Sequence, residues 1–342
     1  MVLKNKINVA VVGATGIVGK EFIQILQERK FPVGELKLFA SGNSAGDTID
    51  FAGKAHTIYE LSIGCFKGSD VAFFSAGANI SEEWAPIAVK EGAFVVDNSS
   101  AFRMHKNTAL VVPEVNSDKI PPLSQPAIIA NPNCSTIQLV VTLKPLSDAY
   151  GLKSVTVATY QSVSGAGKAG IEELSKQTAK LLNGDSASKP EVFAHNIAFN
   201  NLPHIDKFDE SGFTLEEKKI MDETRKIMNL PDLDISATAV RTPTFNGHSE
   251  AVWCEIEKVV SRDEIVKLLS AAVGVKVLDD PSKNIYPQNC DASGKDEVFV
   301  GRIRCDLKNP KRWLMWIVSD NVRKGAALNG IQIAEKLFEL KP

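Results

Sequence analysis

The feature that most constrains the fold of this chain is the alternation of short apolar segments with longer helical patterns in its first 132 residues. The apolar segments are INVAVVG (7–13), ELKLFAS (35–41), DVAFFSAG (70–77), AFVVDNSS (93–100) and PAIIANPN (126–133), and the helical patterns are IVGKEFIQILQERK (17–30) and EEWAPIAVKEG (82–92). Strands that are apolar throughout are typical of a parallel sheet covered by helices on both faces. The sequence therefore predicts an α/β domain with a doubly wound parallel sheet.

The pattern changes after a predicted helix at 135–149, where the segments show more period-two alternation and fewer helices separate them. These segments are SVTVATYQSVS (154–164), LDISATAVRTP (233–243), AVWCEIEK (251–258), EVFVGRIRC (297–305) and WLMWIVSD (313–320). They predict a second, α+β domain with a mixed sheet. An amphipathic pattern at 321–340, after a polar cap at Asn321, predicts a last helix that returns to the first domain. We therefore predict a first domain of residues 1–132 and 322–342 and a second domain of residues 133–321.

The composition is that of a globular chain of 342 residues, with 44% hydrophobic and 23% charged residues. A net charge of -2 argues against a sequence-independent nucleic-acid-binding protein, which needs a strong basic excess. The five cysteines are scattered without the spacing of a metal site, as expected in a reducing cytoplasm, and we predict no bound metal. No segment reaches the roughly 18 apolar residues of a membrane span, so we predict a soluble, cytoplasmic protein without a membrane partner.

A glycine-rich turn, GATGIVG, lies between the first predicted strand and the first predicted helix. Gly13, Gly16 and Gly19 permit a tight turn and a close approach of the backbone to a pyrophosphate group. The free N–H groups and the positive dipole end of the helix then meet the negative charge. The turn therefore predicts dinucleotide binding by a Rossmann-type domain.

The second predicted strand ends in LFASGNSAG, without an Asp or Glu residue. An acidic residue at this point binds the ribose hydroxyl groups of NAD and repels the additional phosphate of NADP. Ser41, Asn43 and Ser44 are neutral donors instead, which favours NADP as the cofactor.

Cys134 lies at a predicted helix start, within NPNCST. Asn131-Pro132-Asn133 provides a turn and a capping side chain, so that the thiol falls in the first helical turn. The positive dipole end of a helix favours the thiolate, which is the nucleophilic form. From these residues alone, a small packed cysteine and a catalytic nucleophile are equally good interpretations, and the other four cysteines are expected to be structural.

The segment VRTPTFNGHSE contains the histidine best suited to act with Cys134. Arg241 ends one predicted strand, and His248 precedes the next after a turn at Gly247. A loop histidine is more often a surface residue than a catalyst. A nucleophilic cysteine nevertheless needs a proton carrier, and histidine is the natural one at neutral pH.

Two further groups of residues are ambiguous from the sequence alone. In QSVSGAG, Ser164 and Gly165 form a small-residue loop that either admits a ligand close to the backbone or only connects two elements. Arg103 in SSAFRM, and Glu216 and Lys219 in GFTLEEKKI, carry charges whose spacing alone predicts a solvated surface.

The ordered set of motifs GATGIVG, NSSAFRM, NPNCST, QSVSGAG, VRTPTFNGHSE and SDNVRKGAALN closely resembles the bacterial aspartate-β-semialdehyde dehydrogenases, from about residue 7 to residue 338. The resemblance implies a homodimeric enzyme that interconverts aspartate semialdehyde and aspartyl phosphate, using NADP and inorganic phosphate. It further implies a Rossmann-type cofactor domain and a catalytic and dimerisation domain. The reaction would serve lysine (through diaminopimelate), threonine and methionine biosynthesis.

The resemblance also implies roles for individual residues. Cys134 matches the nucleophile that forms the acyl-enzyme, His248 matches the general acid and base, and Gln161 resembles the side chain that orients the substrate. Arg241 looks like the residue that binds the substrate carboxylate through its bidentate guanidinium group.

The phosphate and cofactor contacts are implied in the same way. Arg103 and Lys219 match the cations that hold the phosphate group, with Glu216 one helical turn before Lys219 as their partner. The cofactor contacts predicted by the motifs and by the resemblance together are Gly13, Thr15, Gly16, Ile17, Val18, Ser41, Asn43, Ser44, Ser164, Gly165 and Asn321.

The chain departs from the family pattern at Asn43, where the bacterial enzymes usually have an arginine that faces the 2′-phosphate of NADP. Its absence weakens the preference for NADP and would permit NAD, although NADP stays our prediction. The alternatives are an N-acetyl-glutamyl-phosphate reductase, which shares the glycine turn and the nucleophile, and, less well supported, a thiol hydrolase or acyltransferase or a nucleotide-sensing module.

Overall fold

The computed structural model describes residues 6–186 and 188–340 and divides the chain into two compact units. Of these residues, 6–133 and 326–340 form the first unit, and 134–186 and 188–325 form the second. Asn133, which we assigned to the second domain, therefore falls in the first unit, and residues 322–325 fall in the second. Within the described part of the chain, no helix has the length and apolar character needed to cross a membrane.

Strands and helices alternate in the first unit. In the second unit several of them are longer, and their order along the chain is less regular. In chain order to residue 133 they are β1 (Ile7–Val12), α1 (Ile17–Glu28), β2 (Val33–Phe39), β3 (Thr48–Phe51), β4 (Lys54–Tyr59), β5 (Val71–Phe74), α2 (Ala78–Lys90), β6 (Phe94–Asp97), β7 (Ala109–Leu110), α3 (Pro113–Asn116) and β8 (Ile128–Ala130). The elements that follow are α4 (Cys134–Tyr150), β9 (Leu152–Gln161), α5 (Gly167–Leu182), α6 (Leu215–Met228), β10 (Asp234–Arg241), β11 (His248–Ile256), α7 (Arg262–Ser270), β12 (Val275–Val277), α8 (Asn289–Ala292), β13 (Val298–Cys305), β14 (Arg312–Ser319) and α9 (Leu328–Leu337).

The first unit contains the doubly wound sheet that the apolar segments predict, with strand order β3-β4-β2-β1-β5-β6-β8-β7. All neighbouring strands are parallel except β3 and β4, which form an antiparallel edge. β5 shows why its sequence is apolar throughout: Phe73 stacks on Phe22 of α1 at 4.7 Å, whereas Phe74 stacks on Phe66 at 5.7 Å. Successive strand residues point to opposite faces, so the sheet is buried on both.

The second unit contains a six-stranded mixed sheet of order β10-β9-β11-β14-β13-β12. β9 is parallel to β10 and antiparallel to β11, which is itself antiparallel to β14. Gln161 and Arg241 therefore pair at the ends of their parallel strands, and His248, the first residue of β11, pairs with Ser319, the last residue of β14. The ends of β9, β10 and β14 and the start of β11 therefore lie at the same end of the sheet, which brings residues that are distant in sequence close together.

The helix predicted at 321–340 begins later than expected. Asp320, rather than Asn321, caps the turn, because its Oδ1 accepts the backbone N–H groups of Val322 and Arg323 at 2.8 and 3.0 Å. A π-helical segment, Arg323–Ala327, precedes α9. The prediction of Asn321 as the cap was wrong, and its amide is used elsewhere in the second unit.

Candidate active site

A cavity of about 570 Å³ opens in the first unit at the carboxyl ends of β1, β2 and β5. Strand order reverses between β2 and β5 on either side of β1, and ligands of open α/β sheets bind at such a point. Gly13 follows β1 with φ of +83°, and a Cβ there would lie 2.9 Å from the carbonyl carbon of Ser75. Gly13, Thr15 and Gly16 line the cavity, which fits a pyrophosphate held by backbone N–H groups and the start of α1.

The predicted cofactor contacts divide into those at the cavity and those beside it. Ser41 lines the cavity, whereas the exposed Asn43 and the half-buried Ser44 lie in a single turn of 3₁₀ helix, Gly42–Ser44, and are not part of the lining. Ile17 and Val18 form the first two residues of α1.

An acidic residue that the sequence did not reveal also lines this cavity. Glu60 follows β4, and β4 is parallel to β2 with Tyr59 opposite Phe39. The sequence argument considered only the end of β2. The carboxylate comes instead from the neighbouring strand, and sheet pairing is what brings it to Ser41.

Arg103, which spacing alone predicts to be solvated, is buried in the first unit. Its Nε donates to the carbonyl oxygen of Asn131 and its Nη2 to that of Asn98, both at 2.9 Å. These carbonyl groups follow β8 and β6, so the guanidinium group is fixed at the carboxyl edge of the sheet. That edge is where the fold collects ligand-binding groups.

In the second unit, α4 begins at Cys134, as NPNCST predicts. The residue is half-buried. Gly325 packs directly against it, since a Cβ at Gly325 would lie 2.9 Å from the Cys134 Cβ. A side chain at position 325 would therefore displace the thiol.

Two of the other cysteines have the environment of structural residues. Burial raises the pKa of Cys65 and raises the pKa of Cys254 to about 12.

The pairing of β9 with β10 brings Arg241 and Gln161 side by side. Arg241 is buried, and its Nη1 donates to the carbonyl oxygen of Ser162 at 2.7 Å. Burial lowers the pKa of Arg241, while the negative charges of Glu216 and of a Cys134 thiolate oppose that shift. The guanidinium group still keeps its charge, and it forms a cationic centre near the nucleophile.

His248 is fully buried, contrary to its interpretation as a loop residue before the strand. Burial, together with the positive charge of Arg241, lowers the pKa of His248 to about 3, so the ring is neutral at pH 7. Its Nε2 has no hydrogen-bond partner among the described residues. A Cβ at Gly165 would lie 3.3 Å from this Nε2 and 2.8 Å from Arg241 Nη1, so only glycine lets the loop pack this closely against both groups.

Ser162 determines which ring nitrogen of His248 carries the proton, and the sequence did not single it out. Its backbone N–H donates to His248 Nδ1 at 3.1 Å, which leaves the hydrogen on Nε2. Its hydroxyl group is also 3.1 Å from Nδ1 and 3.1 Å from Asn321 Oδ1. In the other tautomer, with the hydrogen on Nδ1, the ring donates to the Ser162 hydroxyl oxygen and gives up the bond from the backbone N–H, and Nε2 is then free to accept a proton.

Asn321 and Ser164, both predicted cofactor contacts, have side chains engaged within the second unit. Asn321 Oδ1 accepts the backbone N–H of Gly247 at 2.9 Å, and its Nδ2 donates to Ser164 Oγ at 2.9 Å. Ser164 also donates to Asn246 Oδ1 at 3.1 Å. This network holds the loop before α5 against the turn that precedes His248.

α6 carries Glu216 and Lys219, the other two residues predicted at the phosphate site besides Arg103. It begins with a capping box, in which the side chains of Thr214 and Glu217 each accept the backbone N–H of the other residue. Glu216 is buried, so the expectation of a solvated face was wrong for it, whereas Lys219 is partly exposed. Lys219 Nζ lies 3.5 Å from Glu216 Oε2 and 2.6 Å from Asp206 Oδ2. Burial raises the pKa of Asp206, but the hydrogen bonds from Lys219 and from the backbone N–H of Lys207, together with the charges of the two lysines, outweigh this and lower it.

Glu216 connects the ion pair with Lys219 to the end of β9, because Gln161 Nε2 donates to Glu216 Oε1 at 3.3 Å. Within the second unit, Arg241 thus lies beside Gln161 and close enough to Cys134 and His248 for their charges to interact, and Glu216 neighbours both Arg241 and Gln161. No group of three or more His, Cys, Asp or Glu side chains suited to a metal ion occurs in residues 6–186 and 188–340.

Two family models match the chain, one to each unit. The model described as semialdehyde dehydrogenase, NAD binding domain, matches residues 8–122, and that described as semialdehyde dehydrogenase, dimerisation domain, matches residues 143–324. Aspartate-semialdehyde dehydrogenase of Aquifex aeolicus is 52% identical over 332 residues, or 97% of this chain and 98% of the relative. The Bacillus subtilis protein of the same name is 49% identical over 342 residues, with 98% of each chain covered.

The chain is also similar to solved structures of aspartate semialdehyde dehydrogenases. A structure of aspartate semialdehyde dehydrogenase II from Vibrio cholerae, complexed with ASA, has a TM-score of 0.95 at 46% identity and covers 98% of this chain and 99% of its own. A structure of aspartate semialdehyde dehydrogenase with NADP from Candida albicans has a TM-score of 0.75 at 26% identity, with 97% and 98% covered.

Proposed function

Because this chain belongs to the aspartate-semialdehyde dehydrogenase family, we propose that it converts L-aspartate-4-semialdehyde reversibly to L-aspartyl-4-phosphate, using NADP, inorganic phosphate and a thioester on Cys134. The observation that carries the proposal is the cluster in the second unit. There a half-buried thiol at a helix start shares its surroundings with a buried arginine and a histidine whose Nε2 has no hydrogen-bond partner in the part of the chain that the structure describes. Such a set fits nucleophilic attack on a carbonyl carbon next to an anionic group.

Cys134 performs the covalent chemistry in this proposal. Its thiolate adds to the aldehyde carbon and forms a C–S bond; loss of hydride from that carbon then gives the thioester. Phosphate attacks the thioester, the C–S bond breaks, and the thiolate is regenerated with release of the acyl phosphate. NADP, when bound, supplies the hydride acceptor in this direction and the donor in reverse.

Arg241 and His248 have complementary tasks. Arg241 binds the substrate carboxylate with its planar guanidinium group, and Gln161 beside it orients the reacting carbonyl group. A carboxylate at Arg241 offsets the positive charge that helps to lower the pKa of His248, and this raises that pKa towards the range of proton transfer. His248 accepts the proton of the Cys134 thiol, which gives the thiolate that attacks, and returns the proton to the thiolate after the C–S bond breaks.

Arg103 and Lys219, with Glu216 between Lys219 and Gln161, are proposed to bind the phosphate group. Arg103 donates to backbone carbonyl groups, whereas Lys219 pairs with Asp206 and Glu216 and remains partly exposed. Positive charge suits a phosphate dianion, whose oxygen gains negative charge when it leaves the acyl carbon in the reverse direction.

NADP is the proposed cofactor of the first unit, bound by the turn at Gly13 and by Ser41, with Ser164, Gly165 and Asn321 as contacts at the nicotinamide end. The support is the backbone cradle around Gly13, which no other residue type fits. Asn43 and Glu60 are the two features that would favour NAD. The ratio of kcat/KM for NADP and NAD decides the point, and a preference for NAD would overturn this choice.

A homodimer is proposed from the match to a dimerisation domain over residues 143–324. In support, Tyr160 on the second-unit sheet is exposed, and its ring centroid lies 5.3 Å from that of the partly buried Trp316. Exposed aromatic side chains are enriched in interfaces. Analytical ultracentrifugation tests this, and a monomer at micromolar concentration would contradict it.

The decisive experiment is an assay of NADPH formation from aspartate semialdehyde with and without inorganic phosphate. The proposal expects formation that requires phosphate, and formation without it contradicts the acyl-phosphate product. The same assay with N-acetyl-glutamate semialdehyde tests the alternative reductase, which would show the higher kcat/KM on that substrate. A hydrolase, acyltransferase or sensing module gives no NADPH with either aldehyde.

A further inference from the structure

We propose that Glu250, with its carboxyl group protonated, is a positioning residue that sets the helix carrying Cys134 against the strand carrying His248. Glu250 is the third residue of β11, and its side chain lies on the same sheet face as that of His248. Gln138 lies on α4, one helical turn after Cys134. Both Glu250 and Gln138 are fully buried, and α4 packs on β11.

A neutral carboxyl group suits this position better than a carboxylate. Burial raises the pKa of Glu250 well above its usual range, and the nearby Gln138 side chain opposes that shift only in part. Neither carboxyl oxygen, nor Gln138 Nε2, has a partner within hydrogen-bond geometry among the described residues. A protonated carboxyl group has one donor and one acceptor, and the amide facing it has both complements, so a small adjustment satisfies the pair.

Ser319 completes a buried polar cluster of three residues, Glu250, Gln138 and Ser319. Ser319 donates to Gln138 Oε1 at 2.6 Å, and it pairs with His248 across β11 and β14. The bond from Ser319 to Gln138 connects β14 to α4 one turn below the nucleophile, and the proposed pair of Glu250 and Gln138 adds β11 to this connection. A hydrogen bond is directional, so it fixes the position of a helix along a sheet more precisely than apolar packing does. Any shift of α4 moves Cys134 relative to His248.

The test compares two variants of different polarity and similar size. In E250Q the amide side chain keeps a hydrogen-bond donor and an acceptor but cannot ionise. The kcat of aldehyde oxidation and its pH profile should therefore stay within about 2-fold of those of the unsubstituted enzyme. In E250M the amide loses its partner, and kcat falls about 10-fold or more while KM for aldehyde and NADP changes less than about 2-fold. Loss of activity in E250Q equal to that in E250M, or unchanged kcat in E250M, overturns the proposal.

Gln138 supplies the second, independent variant. Q138M is expected to reproduce the loss of kcat, and the double variant E250M/Q138M to lose no more than either single variant, because the two side chains act as one unit. If E250M does not fold, Q138M alone decides, and unchanged kcat in it overturns the proposal. C254A is the matched control, since Cys254 is buried on the same face of the same strand, farther from His248; it lowers stability without lowering kcat.

This inference rests on the proposed function for its kcat measurement, and alkylation of Cys134 by iodoacetamide provides a measure that does not. The rate constant for alkylation is expected to fall severalfold in E250M and to remain unchanged in E250Q and C254A. If aldehyde oxidation is absent in the unsubstituted protein, the proposed function fails, and the alkylation rates still decide whether Glu250 positions the thiol. Equal alkylation rates in all variants overturn the positioning role.

Discussion

The two units of the chain differ in which part of the polypeptide forms the candidate site. In the first unit the cavity is bounded by strand ends and a glycine turn, where a Cβ at Gly13 would collide with backbone. In the second unit the site consists of side chains from four elements: Cys134 on α4, Gln161 on β9, Arg241 on β10 and His248 on β11. A backbone site depends on a short contiguous motif, whereas a side-chain site depends on the register of strands far apart in sequence.

Replacement of the nucleophile tests the side-chain site most severely. Cys134→Ala removes the only group proposed to form a bond to the substrate, so kcat is expected to fall by at least ~10⁴-fold. The affinity for NADP should not change, because the cradle at Gly13 belongs to the other unit. Turnover is measured as NADPH absorbance and NADP affinity by calorimetry.

Cys254→Ala is the control for removing a thiol from the same unit, and it should retain kcat since its pKa of about 12 keeps it protonated. Turnover in C134A at the level of this control would refute the thioester route.

Arg241→Lys tests whether the second unit needs the geometry of the guanidinium group or only its charge. Lysine keeps the charge but loses the planar fork and the bond from Nη1 to the Ser162 carbonyl oxygen. We expect kcat/KM for aspartate semialdehyde to fall about 10²-fold, mostly through KM, as for a lost charge-assisted hydrogen bond.

Arg225→Lys is a suitable comparison, because Arg225 lies on α6 and donates to the carbonyl oxygen of Leu233 rather than to a proposed ligand. If both lysine variants have the same kcat/KM, a carboxylate-binding role for Arg241 is untenable.

Gly13→Ala tests the backbone site, and Gly53→Ala is its matched control. Both glycines have positive φ, +83° and +75°, so alanine is strained at each. Only at Gly13 does the added Cβ meet neighbouring atoms, those of Ser75, whereas nothing lies within 4 Å at Gly53. We expect KM for NADP to rise about 10-fold in G13A and to stay unchanged in G53A, with equal alkylation of Cys134 in both. A similar KM in the two variants would mean that strain, not the cradle, matters.

The contrast between the units also explains what the sequence could predict. The glycine turn, the parallel sheet and the helix start at Cys134 follow from neighbouring residues, and the structure contains all three. Burial of Glu216 could not be foreseen, because it depends on strand ends brought beside α6 by pairing of β9 and β10. Glu60 reaches the cavity in the same way, from a strand paired with β2.

The hydrogen bond between Ser162 and His248 spans 86 positions and is equally a product of register. The T-x-x-E pattern at Thr214, in contrast, was a local signal for the start of α6 that the sequence did contain.

The last expected effect concerns stability rather than kinetics: burying His248 has a free-energy cost that only the side-chain site incurs. Its pKa of about 3 in the folded chain lies below the usual 6.5, so the unfolded chain binds more protons between these values. The free energy of unfolding therefore falls as the pH decreases from 6.5 towards 3, with a limiting slope of about 1.4 kcal/mol per pH unit. In His248→Asn, whose side-chain oxygen can replace Nδ1 as acceptor of the Ser162 N–H, this dependence is removed.

Urea unfolding followed by tryptophan fluorescence at pH 7, 6 and 5 measures the difference between the two proteins. The raised pKa of Glu250 has the opposite sign, since its burial costs stability as the pH rises above 4.5, but both proteins carry Glu250 and its contribution cancels. The unsubstituted protein should thus lose stability relative to H248N as the pH falls. A difference that stays constant from pH 7 to 5 would show that His248 is hydrated or paired in solution, and the side-chain site would then resemble the first unit in being open to water.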